Sequence, residues 1–169
     1  MLRGAFIGFG NVAEKGHLPG WQARPGVAIV AAADAVAARR DTFLAAVPKG
    51  HWYDSVEALL SGETLDFIDL CTPPGSHAAL IERLLGAGLH VLCEKPLVTR
   101  AADAEAVAKA AARARRAVHT VHNWLEAPIC RHISALIDGG TLGALRRIHW
   151  ETLRTQPAVT VSTPGAAAV

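Results

Sequence analysis

Two short stretches of the chain carry residues whose types and spacing suit chemistry. Gly8-Phe-Gly10-Asn-Val-Ala13 has the spacing G-x-G-x-x-G/A, and Glu94-Lys95-Pro96 places a carboxylate beside a lysine. Glycines at this spacing permit a tight turn and let a pyrophosphate approach the backbone, while the helix that follows offers free N–H groups. A lysine at the end of a buried strand rarely serves packing alone, and partial burial would suit its ammonium group to proton transfer. The sequence therefore predicts a dinucleotide site with a lysine nearby.

The choice of dinucleotide depends on Asp34, which stands 24 residues after Gly10 at the end of an apolar run. A carboxylate there accepts hydrogen bonds from the adenosine ribose hydroxyls and repels a 2′-phosphate, so it favours NAD over NADP. Capping of the next helix is an alternative role for Asp34, and the two roles can coexist. Arg39 and Arg40 follow within that helix and would weaken the preference. NAD is the predicted cofactor, with NADP less favoured.

Alternating apolar runs and helical patterns position these motifs. The predicted strands are residues 5–8, 27–33, 66–71, 90–93 and 117–121, and the predicted helices between them are 11–24, 35–46, 54–60, 76–86 and 100–116. Asp54 and Glu57 are predicted to form a capping box, and Thr99 to cap the last of these helices. This alternation predicts an α/β fold with a doubly wound parallel Rossmann sheet. Ligands of such sheets bind beyond the carboxyl ends of the strands, where both motifs lie.

The motifs, taken in order, resemble those of a known family. Gly8-x-Gly10-x-x-Ala13, Asp34, Thr72-Pro73-Pro74-x-x-His77 and Glu94-Lys95-Pro96 are similar to the signatures of Gfo/Idh/MocA oxidoreductases, such as glucose–fructose oxidoreductase and inositol dehydrogenase. The resemblance covers residues 2 to about 153. It implies hydride transfer between a nicotinamide and a sugar, polyol or related hydroxy or keto compound.

The resemblance also implies a role for each matching residue. Lys95 would be the catalytic lysine that bonds the reacting oxygen of the substrate. The peptide bond before Pro96 is a candidate for the cis form. The implied cofactor-binding residues are Gly8, Phe9, Gly10, Asn11, Val12, Asp34, Cys71, Thr72, Pro73, Pro74, His77, Glu94, Lys95 and Asn123.

The resemblance divides the chain into three segments. Residues 1–123 would form the NAD(P)-binding Rossmann domain, residues 124–156 the start of a C-terminal α+β substrate and oligomerisation domain, and residues 157–169 an irregular tail. Within the second segment a helix is predicted over residues 127–138 and a strand over 145–153. Family members are longer, so this chain would be catalytically incomplete. A non-catalytic dinucleotide-binding module or gene remnant is the alternative. A coenzyme A-binding or mononucleotide domain is a third reading, but it leaves Asp34 and Glu94-Lys95-Pro96 unexplained.

Composition bounds the partners and the location. Seventeen basic and 15 acidic side chains nearly cancel, which disfavours nucleic acid as a partner. The apolar runs are too short to span a membrane, and three scattered cysteines suggest free thiols and a cytoplasmic location. A small-molecule substrate is the expected partner. An unpaired strand edge predicts a homo-oligomer. No metal is expected, because the spacings fit no ligand set for His119, His122, His132 and His149.

Overall fold

The computed structural model describes residues 1–151 and 153 of the chain. The chain divides into two compact units, Met1–Leu125 and Glu126–Val169. In the first unit, strands alternate with helices. The strands are β1 (Leu2–Ile7), β2 (Val27–Ala33), β3 (His51–Tyr53), β4 (Phe67–Leu70), β5 (His90–Cys93) and β6 (Val118–Thr120).

These strands form one sheet in the order β3-β2-β1-β4-β5-β6, and every neighbouring pair is parallel. The chain order reverses between β1 and β4, so the connections leave these two strands in opposite directions. A crevice opens at such a point beyond the carboxyl ends of the strands. The doubly wound parallel Rossmann sheet is confirmed, with β3 as an additional edge strand.

Alternating side chains of the strands supply two cores, one on each face of the sheet. Ala5, Ile7, Ile68 and Leu70 belong to the larger core, together with buried residues of α4 and α5. Phe6 belongs to the other core, which also holds the following residues: Phe9, Ala13, Leu18, Ala32 and Phe43. Because successive residues of a strand point to opposite faces, both faces of β1 are apolar, as expected for a covered parallel strand.

The helices lie close to their predicted positions but begin with different caps. They are α1 (Leu18–Gln22), α2 (Arg40–Ala46), α3 (Val56–Gly62), α4 (His77–Gly86) and α5 (Ala101–Ala114), and a π-helix over Ala13–His17 leads into α1. The predicted capping box at Asp54 was wrong, because the Ser55 hydroxyl accepts the hydrogen bond from the Ala58 N–H. The predicted cap at Thr99 was also wrong. Arg100 occupies the cap position without a side-chain cap bond, and its guanidinium pairs with Asp103.

The second unit contains the helix α6 (Pro128–Asp138), which confirms the helix predicted over residues 127–138. The strand predicted over residues 145–153 was wrong for residues 145–151 and 153, none of which lies in a strand. Strands require hydrogen-bonded partners, and an alternating pattern cannot supply one. The predicted tail, residues 157–169, lies outside the described residues, and the assignment of residues 124–156 to a substrate domain stays a prediction. No helix among the described residues is long and apolar enough to cross a membrane.

Candidate functional site

A cavity of about 530 Å³ lies beyond the carboxyl ends of β1, β2 and β4. Its volume is within the range of sites for small organic ligands and cofactors. Among its lining residues are Gly8, Gly10, Asp34, Arg39, Cys71, Thr72, Pro73 and Ser76. The fold therefore brings the glycine loop, the acidic residue after β2 and the loop after β4 to one place.

The two glycines of the loop meet different surroundings. Gly8 has a φ of +82°, and a Cβ there would lie 2.8 Å from the carbonyl carbon of Cys71. A Cβ on Gly10 would meet no atom within 4 Å, so this part of the loop faces open space. Phe9, between them, is fully buried in the core, and only its backbone belongs to the loop. Gly8 thus shapes the loop, whereas Gly10 leaves room for a ligand.

Asp34 fastens the loop to the end of β2. Its carboxylate accepts hydrogen bonds from the Phe9 N–H at 2.7 Å and from the Val36 N–H at 2.8 Å. A carboxylate has about four lone-pair sites, so it keeps capacity for ligand hydroxyls. Arg39 lines the same cavity and adds a cation to its lining.

The Glu94-Lys95-Pro96 turn follows β5 and is joined to the loop after β4. The Glu94 N–H donates to the Leu70 carbonyl at 2.9 Å, and the Lys95–Pro96 peptide bond is cis. The ring of His77 is fully buried, with its two nitrogens 2.9 Å from the Pro96 carbonyl and 2.8 Å from the Thr72 carbonyl. His77 therefore connects the two strand-end turns.

The other predicted residues do not line the cavity. Lys95 and Asn123 are exposed, as are Asn11 and Val12, which begin the helical segment after the loop. Lys95 was expected to be partly buried, but its side chain is exposed because it lies past the end of β5. Phe9, Pro74, His77 and Glu94 are also outside the cavity lining.

Sequence reasoning missed a hydrogen-bonded cluster beside the cavity. Asp69, fully buried in β4, accepts a hydrogen bond from Trp21 Nε1 at 2.6 Å and lies 2.9 Å from His17 Nδ1. His17 Nε2 lies 3.0 Å from a carboxylate oxygen of Glu94. Asp69 faces α1 because its neighbours Ile68 and Leu70 point to the opposite face of the sheet. The signal was available, since a carboxylate within a buried apolar strand requires polar partners.

Cys71 joins this cluster, with its Sγ 3.6 Å from His17 Nδ1 and 3.4 Å from an Asp69 oxygen. The atoms of these three residues that could bind a metal ion lie within 4.8 Å of one another. Burial, followed by the nearby charge of Asp69, raises the pKa of the Cys71 thiol. The thiolate form that binds metals is therefore disfavoured, and His17 already faces Asp69. We interpret the group as a hydrogen-bonded cluster.

The residues present fit a dinucleotide. The open space at Gly10 admits a pyrophosphate, and the remaining lone pairs of Asp34 can accept ribose hydroxyls. The Glu94-Lys95 turn lies one strand beyond the loop after β4, toward β6. A ligand that extends from β2 across β1 and β4 reaches this turn.

The family model described as "Oxidoreductase family, NAD-binding Rossmann fold" (GFO_IDH_MocA) matches residues 2–122. Among curated proteins, D-apiose dehydrogenase from Paraburkholderia graminis is 33% identical over 142 residues, which cover 84% of this chain and 38% of that protein. The chain spans about two fifths of the length of the curated relatives it matches.

Two solved structures extend the comparison to the fold. KijD10, a 3-ketoreductase from Actinomadura kijaniata solved with NADP and TDP-benzene, matches with a TM-score of 0.75 and 29% identity, over 82% of this chain and 42% of that one. An oxidoreductase from Agrobacterium radiobacter, solved with NAD+, L-tartaric acid and magnesium, matches with a TM-score of 0.78 and 25% identity, over 85% of this chain and 42% of that one.

Proposed function

Because the chain belongs to the GFO_IDH_MocA oxidoreductase family, we propose that it supplies the cofactor-binding half of an NAD(P)-dependent oxidoreductase acting on a sugar, polyol or related hydroxy or keto compound. The observation that carries the proposal is the common edge of the sheet, where the Gly8–Gly10 loop, Asp34 and the Glu94-Lys95 turn follow β1, β2 and β5. Relatives named as a D-apiose dehydrogenase and a galactose 1-dehydrogenase support the class of substrate.

We assign the two ends of the cofactor to different strand ends. The backbone at Gly10 and the helix start that follows would hold the pyrophosphate, and Asp34 the adenosine ribose. The turns after β4 and β5 would receive the nicotinamide half. When bound, a nicotinamide dinucleotide supplies the capacity to accept or donate a hydride.

Lys95 would act on the substrate itself. Its ammonium group is exposed beyond β5 and can donate a hydrogen bond to the substrate oxygen. It would hold the proton that this oxygen gains when a carbonyl is reduced or loses when a hydroxyl is oxidised.

We propose NAD rather than NADP as the preferred cofactor, because the Asp34 carboxylate would repel a 2′-phosphate. Fluorescence titration of the chain should give a dissociation constant at least about tenfold lower for NADH than for NADPH, a difference of about 1.4 kcal/mol. Asp34→Asn should narrow this ratio, since it removes the charge and keeps an acceptor for the loop. Equal affinities for NADH and NADPH in the unsubstituted chain would contradict the preference. They would indicate that the positive charge of Arg39 offsets the repulsion between Asp34 and the 2′-phosphate.

The catalytic role of Lys95 predicts separate effects on turnover and binding. Lys95→Ala should abolish oxidation of any sugar or polyol that the unsubstituted chain turns over, while the NADH dissociation constant changes less than about threefold. Lys109→Ala is the matched control, because Lys109 is an exposed lysine on α5 paired with Glu105. Turnover retained in Lys95→Ala would remove this residue from the mechanism. NADH binding without turnover in the unsubstituted chain would contradict activity of the 169-residue chain.

We also propose a cytoplasmic location and a homo-oligomer. Cys71, Cys93 and Cys130 are free thiols, which is typical of reducing compartments. Ile129 and Ile148 of the second unit are more than half exposed, and none of the residues of α6 is buried. Sedimentation analysis of the purified chain tests the oligomer.

A further inference from the structure

His17 lies between two carboxylates. Its Nδ1 is 2.9 Å from an oxygen of Asp69, and its Nε2 is 3.0 Å from an oxygen of Glu94. An ionised carboxylate only accepts hydrogen bonds, and a neutral imidazole has one N–H to donate. Both contacts are satisfied together when both ring nitrogens carry protons. The geometry therefore favours the imidazolium form of His17.

Asp69 is the fixed end of this arrangement. It is fully buried, and it is also approached by the indole N–H of Trp21 and the thiol of Cys71, both of which can donate to it. Several donors thus converge on this one carboxylate and hold it in place. Glu94 is the other end of the arrangement: its side chain is 15% exposed, it begins the turn that carries Lys95, and its Oε2 accepts a hydrogen bond from the Lys95 N–H at 3.1 Å.

We propose that His17, as an imidazolium, is a positioning residue that ties Glu94 to Asp69 and so holds the Glu94-Lys95-Pro96 turn in the geometry that receives the nicotinamide half of the cofactor. The inference rests on the proposed function, which places that half at the turn. It goes further by assigning a role to a residue of the helical segment after the glycine loop.

The positioning should depend on pH. The titratable groups that face His17 are Asp69 from β4, Cys71 after β4 and Glu94 after β5. The hydrogen bond to Asp69, with further contributions from both carboxylates, raises the pKa of His17 above 6.5, although burial acts in the opposite direction. The Cys71 thiol stays protonated over the same range because its pKa is also raised. Both hydrogen bonds of His17, to Asp69 and to Glu94, are thus formed together below pH 6.5, and this pairing is lost as pH rises through the pKa of folded His17.

The test compares NADH with the β-methyl ester of ADP, which lacks the nicotinamide and its ribose and, like NADH, carries no phosphate group that titrates between pH 6 and pH 9. From pH 6 to pH 9 the NADH dissociation constant should rise about tenfold, the size of one lost charge-assisted hydrogen bond, while that of the ADP ester stays constant. His17→Gln should bind NADH weakly at every pH and bind the ADP ester normally. His51→Gln is the matched control, because His51 pairs with Glu63 at the start of β3, away from the site. This control should keep the pH profile of the unsubstituted chain.

The outcomes separate the two proposals. Failure of both NADH and the ADP ester to bind the folded chain would overturn the proposed function itself. NADH affinity that does not change with pH, or that changes in parallel with the affinity for the ADP ester, would leave the proposed function in place and overturn the role of His17. A pH profile retained in His17→Gln would assign the titration to another group and overturn it as well.

A second variant serves if His17→Gln does not fold. Glu94→Gln leaves Asp69 as the one carboxylate beside His17, so the His17 imidazole should titrate at lower pH by NMR. The amide that replaces the Glu94 carboxylate can accept a hydrogen bond from a protonated His17 nitrogen or donate one to an unprotonated nitrogen, so NADH affinity should become nearly independent of pH. An NMR midpoint that does not move, or an NADH affinity that still falls about tenfold from pH 6 to pH 9, would overturn the proposal.

Discussion

Gly8 and Gly10 belong to one motif, yet the structure gives them different physical reasons to be glycine. Gly8 has a positive φ and no room for a Cβ beside the Cys71 carbonyl, whereas a Cβ on Gly10 meets open space. We therefore expect Gly8→Ala to lower the free energy of unfolding by roughly 2–4 kcal/mol, from left-handed strain and overpacking. Gly10→Ala should change this free energy by less than about 0.5 kcal/mol. It should nevertheless weaken NADH binding about tenfold, because a methyl group then occupies the path of the pyrophosphate.

Urea denaturation and NADH titration of the same samples measure both effects. Gly20→Ala in α1 is the control, because a Cβ there also meets no atom within 4 Å but lies outside the cavity lining. It should leave NADH affinity unchanged. Normal NADH affinity in Gly10→Ala would show that the loop is a packing turn and would contradict the proposed pyrophosphate site.

At the scale of elements, local patterns predicted the parts of the fold that depend on local physics. Apolar runs such as residues 27–33 predicted buried strands, because a parallel strand covered on both faces must be apolar throughout. β3 was missed because His51–Tyr53 is three residues long and lies at the sheet edge, where only pairing with β2 defines it as a strand. The strand predicted over residues 145–153 shows the converse, since its alternating pattern provides no pairing partner.

The candidate site was predictable where a backbone requirement leaves a sequence signature. The glycine loop, Asp34 and the turn after β4 all line one cavity, as the motif positions implied. The cluster of His17, Trp21 and Asp69 was not predicted, because Asp69 lies 48 positions after Trp21 and 52 after His17, and only the packing of the helical segment after β1 against β4 joins them. Side-chain pairs between distant elements have no periodic signature.

At the scale of the whole molecule, two cysteine thiols, one buried and one partly buried, connect protonation to global unfolding. Cys93 is fully buried on β5, and Cys71 follows β4, so both belong to the centre of the sheet. Burial raises the pKa of Cys93 from an ordinary 9.0 to about 12 and also raises that of Cys71. Above pH 9 the unfolded chain therefore releases protons that the folded chain retains.

This difference predicts that the free energy of unfolding falls as pH rises above 9. The stability is fully present below the unfolded pKa and is lost toward the folded one, at up to about 1.4 kcal/mol per pH unit for each thiol. The raised pKa of His17 also lowers the free energy of unfolding as pH rises, beginning above pH 6.5. The raised pKa of Tyr53 has the same effect only above pH 10. Urea denaturation under reducing conditions between pH 8 and pH 10 measures the decline, and cysteine variants identify the share of the thiols. Cys93→Ala should lower stability at pH 8 but flatten the decline, whereas Cys130→Ala in α6 should keep the original slope. An unfolding free energy that stays constant from pH 8 to pH 10 would mean that the thiols have the same pKa in the folded and unfolded chain. Equal flattening of the pH dependence by both variants would show that Cys93 is not the specific cause of the decline.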